Sequence, residues 1–261
     1  MALGGRTRII TGQIPQRITE FGTPNGRKWA DFNGDGNPDL CVVFFDIPEL
    51  SGILVTLSTG PQFEQRAAGA EIVSRGFQVG LPDGRDWVDF NKDKKADYCR
   101  VVGTQNDYHL RVTLSAGDRF GTTLPDSEKI DPGIKETRAW VDWDGDGFPD
   151  FVRVVERPGF HRGIAITFGS GSGFGPTLDN LTPNSGNVEI AGVRPEDLPR
   201  FLNIFDTGYP EATLWMDVNG DGKADYIRLV GSNKDLVSVT LSNGRGFGLT
   251  ITEPLPTRAI P

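Results

Sequence analysis

Apolar positions along this chain come in short alternating runs rather than helical stripes. ILVTLSTG (Ile53–Gly60), LRVTLSAG (Leu110–Gly117), IAITFGSG (Ile164–Gly171) and VSVTLSNG (Val237–Gly244) share one pattern. Large or β-branched residues alternate with small or polar ones, and Ser, Gly or Asn closes each run. That period and composition predict strands bounded by turns. A second β-rich run precedes each: DLCVV from Asp39, DYCRVV from Asp97, DFVRVV from Asp150 and DYIRLV from Asp225. No segment sustains a helical period over three turns. The best helical candidate is Pro195–Phe205, and Pro199 limits it to a turn or two.

The runs belong to a repeat. WADFNGDGNPDLCVV starts at Trp29, WVDFNKDKKADYCRVV at Trp87, WVDWDGDGFPDFVRVV at Trp140 and WMDVNGDGKADYIRLV at Trp215, with steps of 58, 53 and 75 residues. All five tryptophans lie in these stretches. One unit reads as a strand ending at the tryptophan, an acidic loop, a strand, a variable loop, a further strand and a path onward. Repeats of roughly 40–50 residues with several strands each point to propeller blades. The expected fold is all-β: a single four-bladed β-propeller domain over residues 1–261, with repeats at about 27–75, 85–130, 138–180 and 213–250. Segment 6–21 is expected to pair with strands of the last repeat and close the ring, which removes exposed sheet edges. A degenerate extra blade in 177–213 is the alternative use of the long third step.

Composition narrows the class. The 34 glycines and 18 prolines follow no fixed period, so they mark turns and exclude collagen. No apolar run approaches the roughly 18 residues of a membrane span, so no membrane insertion is expected. The start, Met-Ala-Leu-Gly-Gly-Arg, shows no apolar core of a signal peptide. Two cysteines make no disulfide framework. Cys41 and Cys99 share a repeat position with Val152 and Ile227, so buried free thiols acting as small hydrophobes are expected. A net charge of −8 argues against nucleic acid as a partner.

The acidic loops carry the candidate chemistry. Counted from its first aspartate, loop one places Asp31, Asn33, Asp35 and Asp39 at positions one, three, five and nine. Loop two has Asp89, Asn91, Asp93 and Asp97; loop three Asp142, Asp144, Asp146 and Asp150; loop four Asp217, Asn219, Asp221 and Asp225. Alternation in a tight loop turns these oxygens inward. Glycine at position six permits the left-handed backbone through which position seven offers its carbonyl, adding Asn37, Lys95, Phe148 and Lys223. Hard oxygens in a flexible ring suit Ca²⁺ better than Mg²⁺. An EF-hand is excluded, because position twelve holds Val42, Arg100, Arg153 and Arg228 instead of a bidentate Glu, and the flanks read as strands.

The pattern D-x-[ND]-x-D-G-x-x-D between strands, followed later by Phe-Gly, resembles the FG-GAP or VCBS repeat over roughly residues 27–250. The resemblance implies the calcium-binding β-propeller of integrin α subunits and many microbial proteins, with one calcium loop per blade and a ligand face opposite those loops. Three to four Ca²⁺ ions are expected. Loop two is expected to be the weakest site, since it carries Lys92, Lys94 and Lys95 and Lys94 replaces the glycine. Thirteen of the 35 acidic residues are aspartates at ligand positions; without them the 27 basic residues are in excess. The acidity therefore belongs to the loops.

A motif repeated once per blade is expected to stiffen hairpins rather than to catalyse. Trp29, Trp87, Trp140 and Trp215 are expected to pack between blades, and Trp143 in the core. Arg100, Arg153 and Arg228 share one strand position, where a carboxylate partner is expected. His109 and His161, the only histidines, have no recognisable nucleophile beside them.

The connections between second and third strands, FFDIPELSG, VGTQNDYHL, VERPGFHRG and VGSNKDLVS, differ from repeat to repeat. Function tends to lie on such loops. Asp46, Asp107, Tyr108, His109, Phe160, His161 and Arg162 are the candidate ligand residues, joined by Asp206 and Tyr209 from the long third step. The expected function is a calcium-stabilised binding module and not an enzyme. A carbohydrate-binding, lectin-like role leads; an integrin-like adhesion domain binding protein, cut from a larger secreted chain, is the alternative. A polysaccharide-active enzyme ranks third, because no acid/base pair stands apart from the metal carboxylates. The expected partner is thus a glycan or a protein. Sites with this ligand set fill at extracellular calcium levels, which favours a secreted setting.

Overall fold

The alternating runs pair into four sheets. The computed structural model describes residues 8–9, 22–44, 51–58, 71–75, 78–157, 161–181, 188–190 and 207–255. Within them the chain is all-β apart from three short 3-10 turns, Pro82–Gly84, Lys135–Thr137 and Pro210–Ala212. Among the described residues no helix is long and apolar enough to cross a membrane. The helical candidate 195–205 lies outside the described residues.

The first sheet contains β1 (Arg8–Ile9), β2 (Gly22–Ala30), β3 (Asp39–Phe44), β4 (Gly52–Thr56) and β5 (Glu71–Arg75), in the order β1-β5-β4-β3-β2. The second runs β6 (Asp86–Val88), β7 (Asp97–Thr104), β8 (Asp107–Ser115) and β9 (Phe120–Thr123) in sequence order. The third does the same with β10 (Ala139–Val141), β11 (Asp150–Arg157), β12 (His161–Gly169) and β13 (Phe174–Leu181). The fourth holds β14 (Val188–Ile190), β15 (Thr213–Met216), β16 (Asp225–Val230), β17 (Leu236–Ser242) and β18 (Phe247–Pro254), ordered β14-β18-β17-β16-β15. The described pairings are antiparallel except that β14 runs parallel to β18.

Two expectations about the chain's margins can be compared with this topology. Arg8–Ile9 pairs with β5 of the first sheet, not with a strand of the last repeat; the remainder of segment 6–21 lies outside the described residues. Within 177–213, residues up to Leu181 complete β13 and Val188–Ile190 edge the fourth sheet, while 182–187 and 191–206 are outside the description.

One register recurs in all four sheets. Trp29 pairs with Leu40, Trp87 with Tyr98, Trp140 with Phe151 and Trp215 with Tyr226. The residue before each loop therefore faces the ninth loop residue: Ala30 and Asp39, Val88 and Asp97, Val141 and Asp150, Met216 and Asp225. A slip of one residue would turn every buried side chain to the other face.

The chain divides into two compact units: 1–130 with 170–174, and 131–169 with 175–261. Each has its own core, built from consecutive repeats. In the first unit Phe32, Cys41, Ile53 and Val55 meet Trp87 and Tyr98 of the next repeat. In the second, Trp143, Val152, Val154, Ile164 and Ile166 meet Trp215, Tyr226 and Phe247. One sheet face cannot bury itself and needs a neighbour. Each large side chain buried this way contributes about 1.5–3 kcal/mol. Trp87, Trp140 and Trp215 are buried as expected, but Trp29 departs from the pattern at 57 % exposed. Cys41 and Cys99 are buried free thiols, and burial raises both above the usual thiol range.

Candidate metal centre

Each acidic loop spans the eight residues between the first two strands of its hairpin, and its own backbone winds it. Asp31 Oδ1 accepts the N–H of Gly34 at 2.7 Å and of Asp35 at 3.1 Å, and Oδ2 accepts Gly36 N–H at 2.9 Å. Asp35 in turn accepts Asn37 N–H at 2.8 Å. Asp89 receives Asp93 and Lys94, Asp142 receives Gly145 and Gly147, and Asp217 receives Gly220 and Gly222 in the same manner. Those N–H groups hold the Asp35 and Asp217 carboxyls below the ordinary value, through Asn37 N–H and Gly222 N–H respectively. Glycine at positions four and six takes the required left-handed backbone, at φ 76° and 86° for Gly34 and Gly36. Loop two keeps the same turn with Lys92 at φ 64° and Lys94 at φ 69°.

Position nine does something the sequence does not announce. Asp39 is fully buried; its Oδ2 accepts Phe32 N–H at 2.9 Å and its Oδ1 accepts Ser58 N–H at 2.7 Å. Asp97 does the same for Phe90 and Ser115, Asp150 for Trp143 and Gly169, and Asp225 for Val218 and Ser242. This carboxylate ties the loop's start to the end of the third strand. Its bonds are charge-assisted, yet burial opposes the charge and pushes Asp97 and Asp150 up to about 7.

The donor set suits a hard cation. Asp142, Asp144 and Asp146 present carboxylate oxygens that lie within 4.8 Å of one another. Burial raises the Asp144 carboxyl above its ordinary value, and the charges of Asp146 and Asp142 add to the rise. Asn33, Asn91 and Asn219 replace the middle aspartate elsewhere; each accepts the N–H of position five at 2.9–3.1 Å, and its amide nitrogen faces the position-five carboxylate.

Loops are joined within each unit. Ala96 N–H donates to Asp31 O at 2.7 Å, and Ser115 Oγ donates to Phe32 O at 2.6 Å. Ala224 N–H and Ser242 Oγ do the same to Asp142 O and Trp143 O, at 2.8 and 2.9 Å. Phe120 packs edge-on to Phe32, and Phe247 to Trp143. The odd repeats carry Pro38 and Pro149 where Ala96 and Ala224 stand, and proline has no N–H to give.

The candidate ligand residues fare differently. Gln105 and Asn106, both at positive φ, form the two-residue turn that presents Asp107 and Tyr108. His109 Nε2 lies 3.3 Å from Asp107 Oδ1, while Nδ1 lies 2.9 Å from Ser127 O. Arg162 forms a cross-strand pair with Glu156 at 3.0 Å. Tyr209 donates to Gly231 O at 2.9 Å, and the Lys234 ammonium lies 4.6 Å from its ring centre. Tyr209 thereby reaches the turn between β16 and β17. Asp46, Phe160 and Asp206 lie outside the described residues; His161 is placed at the start of β12 by its backbone alone.

Sequence reasoning missed a second repeated device. A glycine stands seven residues before the first tryptophan of each repeat, at 22, 80, 133 and 208. Gly80 approaches β7 so closely that an added Cβ would meet Val101 O at 2.5 Å; Gly133 and Gly208 repeat this against Val154 O and Leu229 O. Above this contact lies the buried arginine. Arg100 donates to Gln78 O at 2.7 Å, Tyr98 O at 3.2 Å and Thr113 Oγ1 at 3.1 Å, with its guanidinium over the Tyr98 ring. Arg153 repeats the arrangement with Asp131 O, Phe151 O and Thr167 Oγ1. Carbonyl and hydroxyl oxygens receive these bonds, where the strand position suggested a carboxylate. Burial pushes Arg100 down to about 10, still charged at neutral pH. The signal was present as G-x-P-x-G-R-x-W, which occurs at Gly22–Trp29 and Gly80–Trp87.

No protein-family model matches the chain. It is 26% identical over 129 residues to the NAD(+)--arginine ADP-ribosyltransferase Chelt of Vibrio cholerae. The match covers 49% of this chain and 20% of that protein, so the chain corresponds to about a fifth of the relative's length. This similarity overturns the expectation of a calcium-dependent lectin or adhesion module, and with it the expectation that the chain is not an enzyme. The acidic loops that prompted the expectation are elements of a scaffold, and a scaffold does not specify a binding function over a catalytic one.

Proposed function

We propose that this chain belongs to an enzyme of the NAD(+)--arginine ADP-ribosyltransferase kind and supplies it with a metal-clipped β-repeat scaffold. The observation that carries the reading is the similarity to the Vibrio cholerae protein. The four sheets are the blades of a four-bladed propeller of the FG-GAP or VCBS kind. The recurring Trp register and one acidic loop per sheet support that architecture. The aromatic contacts of Phe120 on Phe32 and of Phe247 on Trp143 support it as well.

Calcium is the cation that the donor chemistry favours. In loop three it would be held by Asp142, Asp144, Asp146 and the Phe148 carbonyl, with Asp150 behind them; loop one offers Asp31, Asn33, Asp35, the Asn37 carbonyl and Asp39. The bound cation would supply charge neutralisation to a loop of convergent carboxylates. The chain's own residues do the rest: position one winds the turn, and position nine fastens it to the third strand.

The test uses NAD+ and agmatine, a small guanidine acceptor. The chain, and any longer product of its gene, are incubated with both, and ADP-ribosyl agmatine and free nicotinamide are followed by mass spectrometry. Transfer by either preparation supports the reading. Neither transfer nor nicotinamide release from both, with calcium and with chelator, overturns it.

A further inference from the structure

Repeat four carries an aromatic residue and a lysine at two positions where repeat two carries neither. Tyr209 follows the close-packed Gly208, where the other repeats have Thr23, Leu81 and Ile134. Its backbone N–H donates to Leu229 O at 3.2 Å and its hydroxyl to Gly231 O at 2.9 Å. The ring is thus fixed at both ends. Lys234 stands in the turn between β16 and β17, where repeat two has Asn106. Both take the left-handed backbone, at φ 56° and 70°. Asparagine visits that region readily, whereas lysine does so against its preference.

That turn carries the lysine onto Tyr209. Its ammonium lies over the ring, 4.6 Å from the centre, and donates to Glu211 Oε1 at 2.5 Å. The same bond holds the Glu211 carboxyl below its ordinary value. An aromatic face beside a carboxylate is a pair of groups that recognises an organic cation. The ring attracts the charge, and the carboxylate accepts its N–H groups. A guanidinium suits the pair better than an ammonium, because its plane stacks on the ring while its edge reaches the carboxylate. The Lys234 and Glu211 side chains are 42 % and 58 % exposed, and an ion pair that open is weakly held. A cation from solution can therefore displace the lysine.

We propose that Tyr209 and Glu211 form a binding site for a guanidinium group, and that Lys234 occupies it in the unliganded chain as a tethered competitor. The choice of a guanidinium ligand rests on the transferase reading, whereas the site rests on the geometry of ring, carboxylate and lysine. An internal competitor that fills the site about nine-tenths of the time weakens the apparent affinity about tenfold.

The experiment is calorimetric titration of the whole chain with butylguanidinium at pH 7.5 and low salt, without NAD+, so that no transfer can occur. Butylammonium has the same tail and charge, and it is expected to bind more weakly. Lys234→Asn vacates the site and installs the residue that repeat two carries at the same backbone angle. It is expected to tighten butylguanidinium binding about tenfold. Tyr209→Leu, the residue of repeat two, and Glu211→Gln are each expected to remove that gain when added to Lys234→Asn. Tyr209→Leu changes no charge, so its effect separates the ring from general electrostatics. Circular dichroism melts check that each variant folds. Equal affinity in the unaltered chain and Lys234→Asn overturns the proposal. So does a gain that survives both partner substitutions, or butylammonium binding as tightly as butylguanidinium. Transfer to agmatine without any gain at Lys234→Asn overturns the site and leaves the transferase reading standing. A gain without transfer keeps the site and overturns that reading.

Discussion

Asp150→Asn separates a strut from a ligand. The Asp150 carboxylate is 1 % exposed, accepts Gly169 N–H on Oδ1 at 2.8 Å and accepts Trp143 N–H on Oδ2 at 3.0 Å. Asparagine offers one oxygen and turns its NH2 towards the second N–H, so two donors face each other. Leaving one buried N–H unmet costs about 2 kcal/mol, within a range of about 1–3. The assay is urea unfolding in excess chelator at pH 8, above the value of about 7 to which burial pushes Asp150, so that the unaltered carboxyl is ionised. With a urea dependence of about 2 kcal/mol per M, the midpoint falls by about 1 M. Asp144→Asn is the control. Its oxygen accepts Asp146 N–H at 3.1 Å, and Asn33, Asn91 and Asn219 do the same natively, so its midpoint in chelator stays put. If Asp150→Asn unfolds at the unaltered midpoint without metal, position nine is not a strut and the reasoning fails.

Further outcomes follow from the same geometry. Gly133→Ala forces a left-handed alanine whose Cβ meets Val154 O at 2.5 Å; a loss of about 3 kcal/mol is expected, and an unchanged melting temperature contradicts the close approach. Trp143 is fully buried and its Nε1–H has no partner among the described residues. Trp143→Phe therefore offsets lost volume with relief of an unmet donor and stays within about 1 kcal/mol, while Phe90→Ala costs about 3–5 kcal/mol in the same denaturation assay. Arg111 donates to Asp126 at 2.6 Å and holds its carboxyl below the ordinary value. A depressed folded-state value means stability that is full above the unfolded carboxylate range and is lost as pH falls through the folded one. Asp126→Asn should accordingly lose less stability than the unaltered chain between about pH 4 and pH 2 in thermal melts; equal losses exclude the pair as a contributor.

The sequence by itself determined the strands, the four repeats and the wound acidic loops. These are local matters: period-two alternation, glycine at a left-handed position and an Asp accepting the N–H groups that follow it need no distant partner. Only the tertiary structure decided what crosses between elements. Position nine reads as one more carboxylate in a row, yet it faces the end of the third strand, 17 to 19 residues away in sequence. The arginines looked ready for an acid, yet their bonds run to carbonyls 22 residues earlier, brought there by the glycine approach. Within each compact unit the even repeat donates an Ala N–H and a Ser hydroxyl to the odd repeat before it, a contact that no local pattern announces. Trp29 was indistinguishable in sequence from its three buried counterparts, and its exposure depends on what packs beside it. The expected binding role fell for a related reason. Repetition made the scaffold legible, whereas an activity is carried by features that do not recur and leave no period to read.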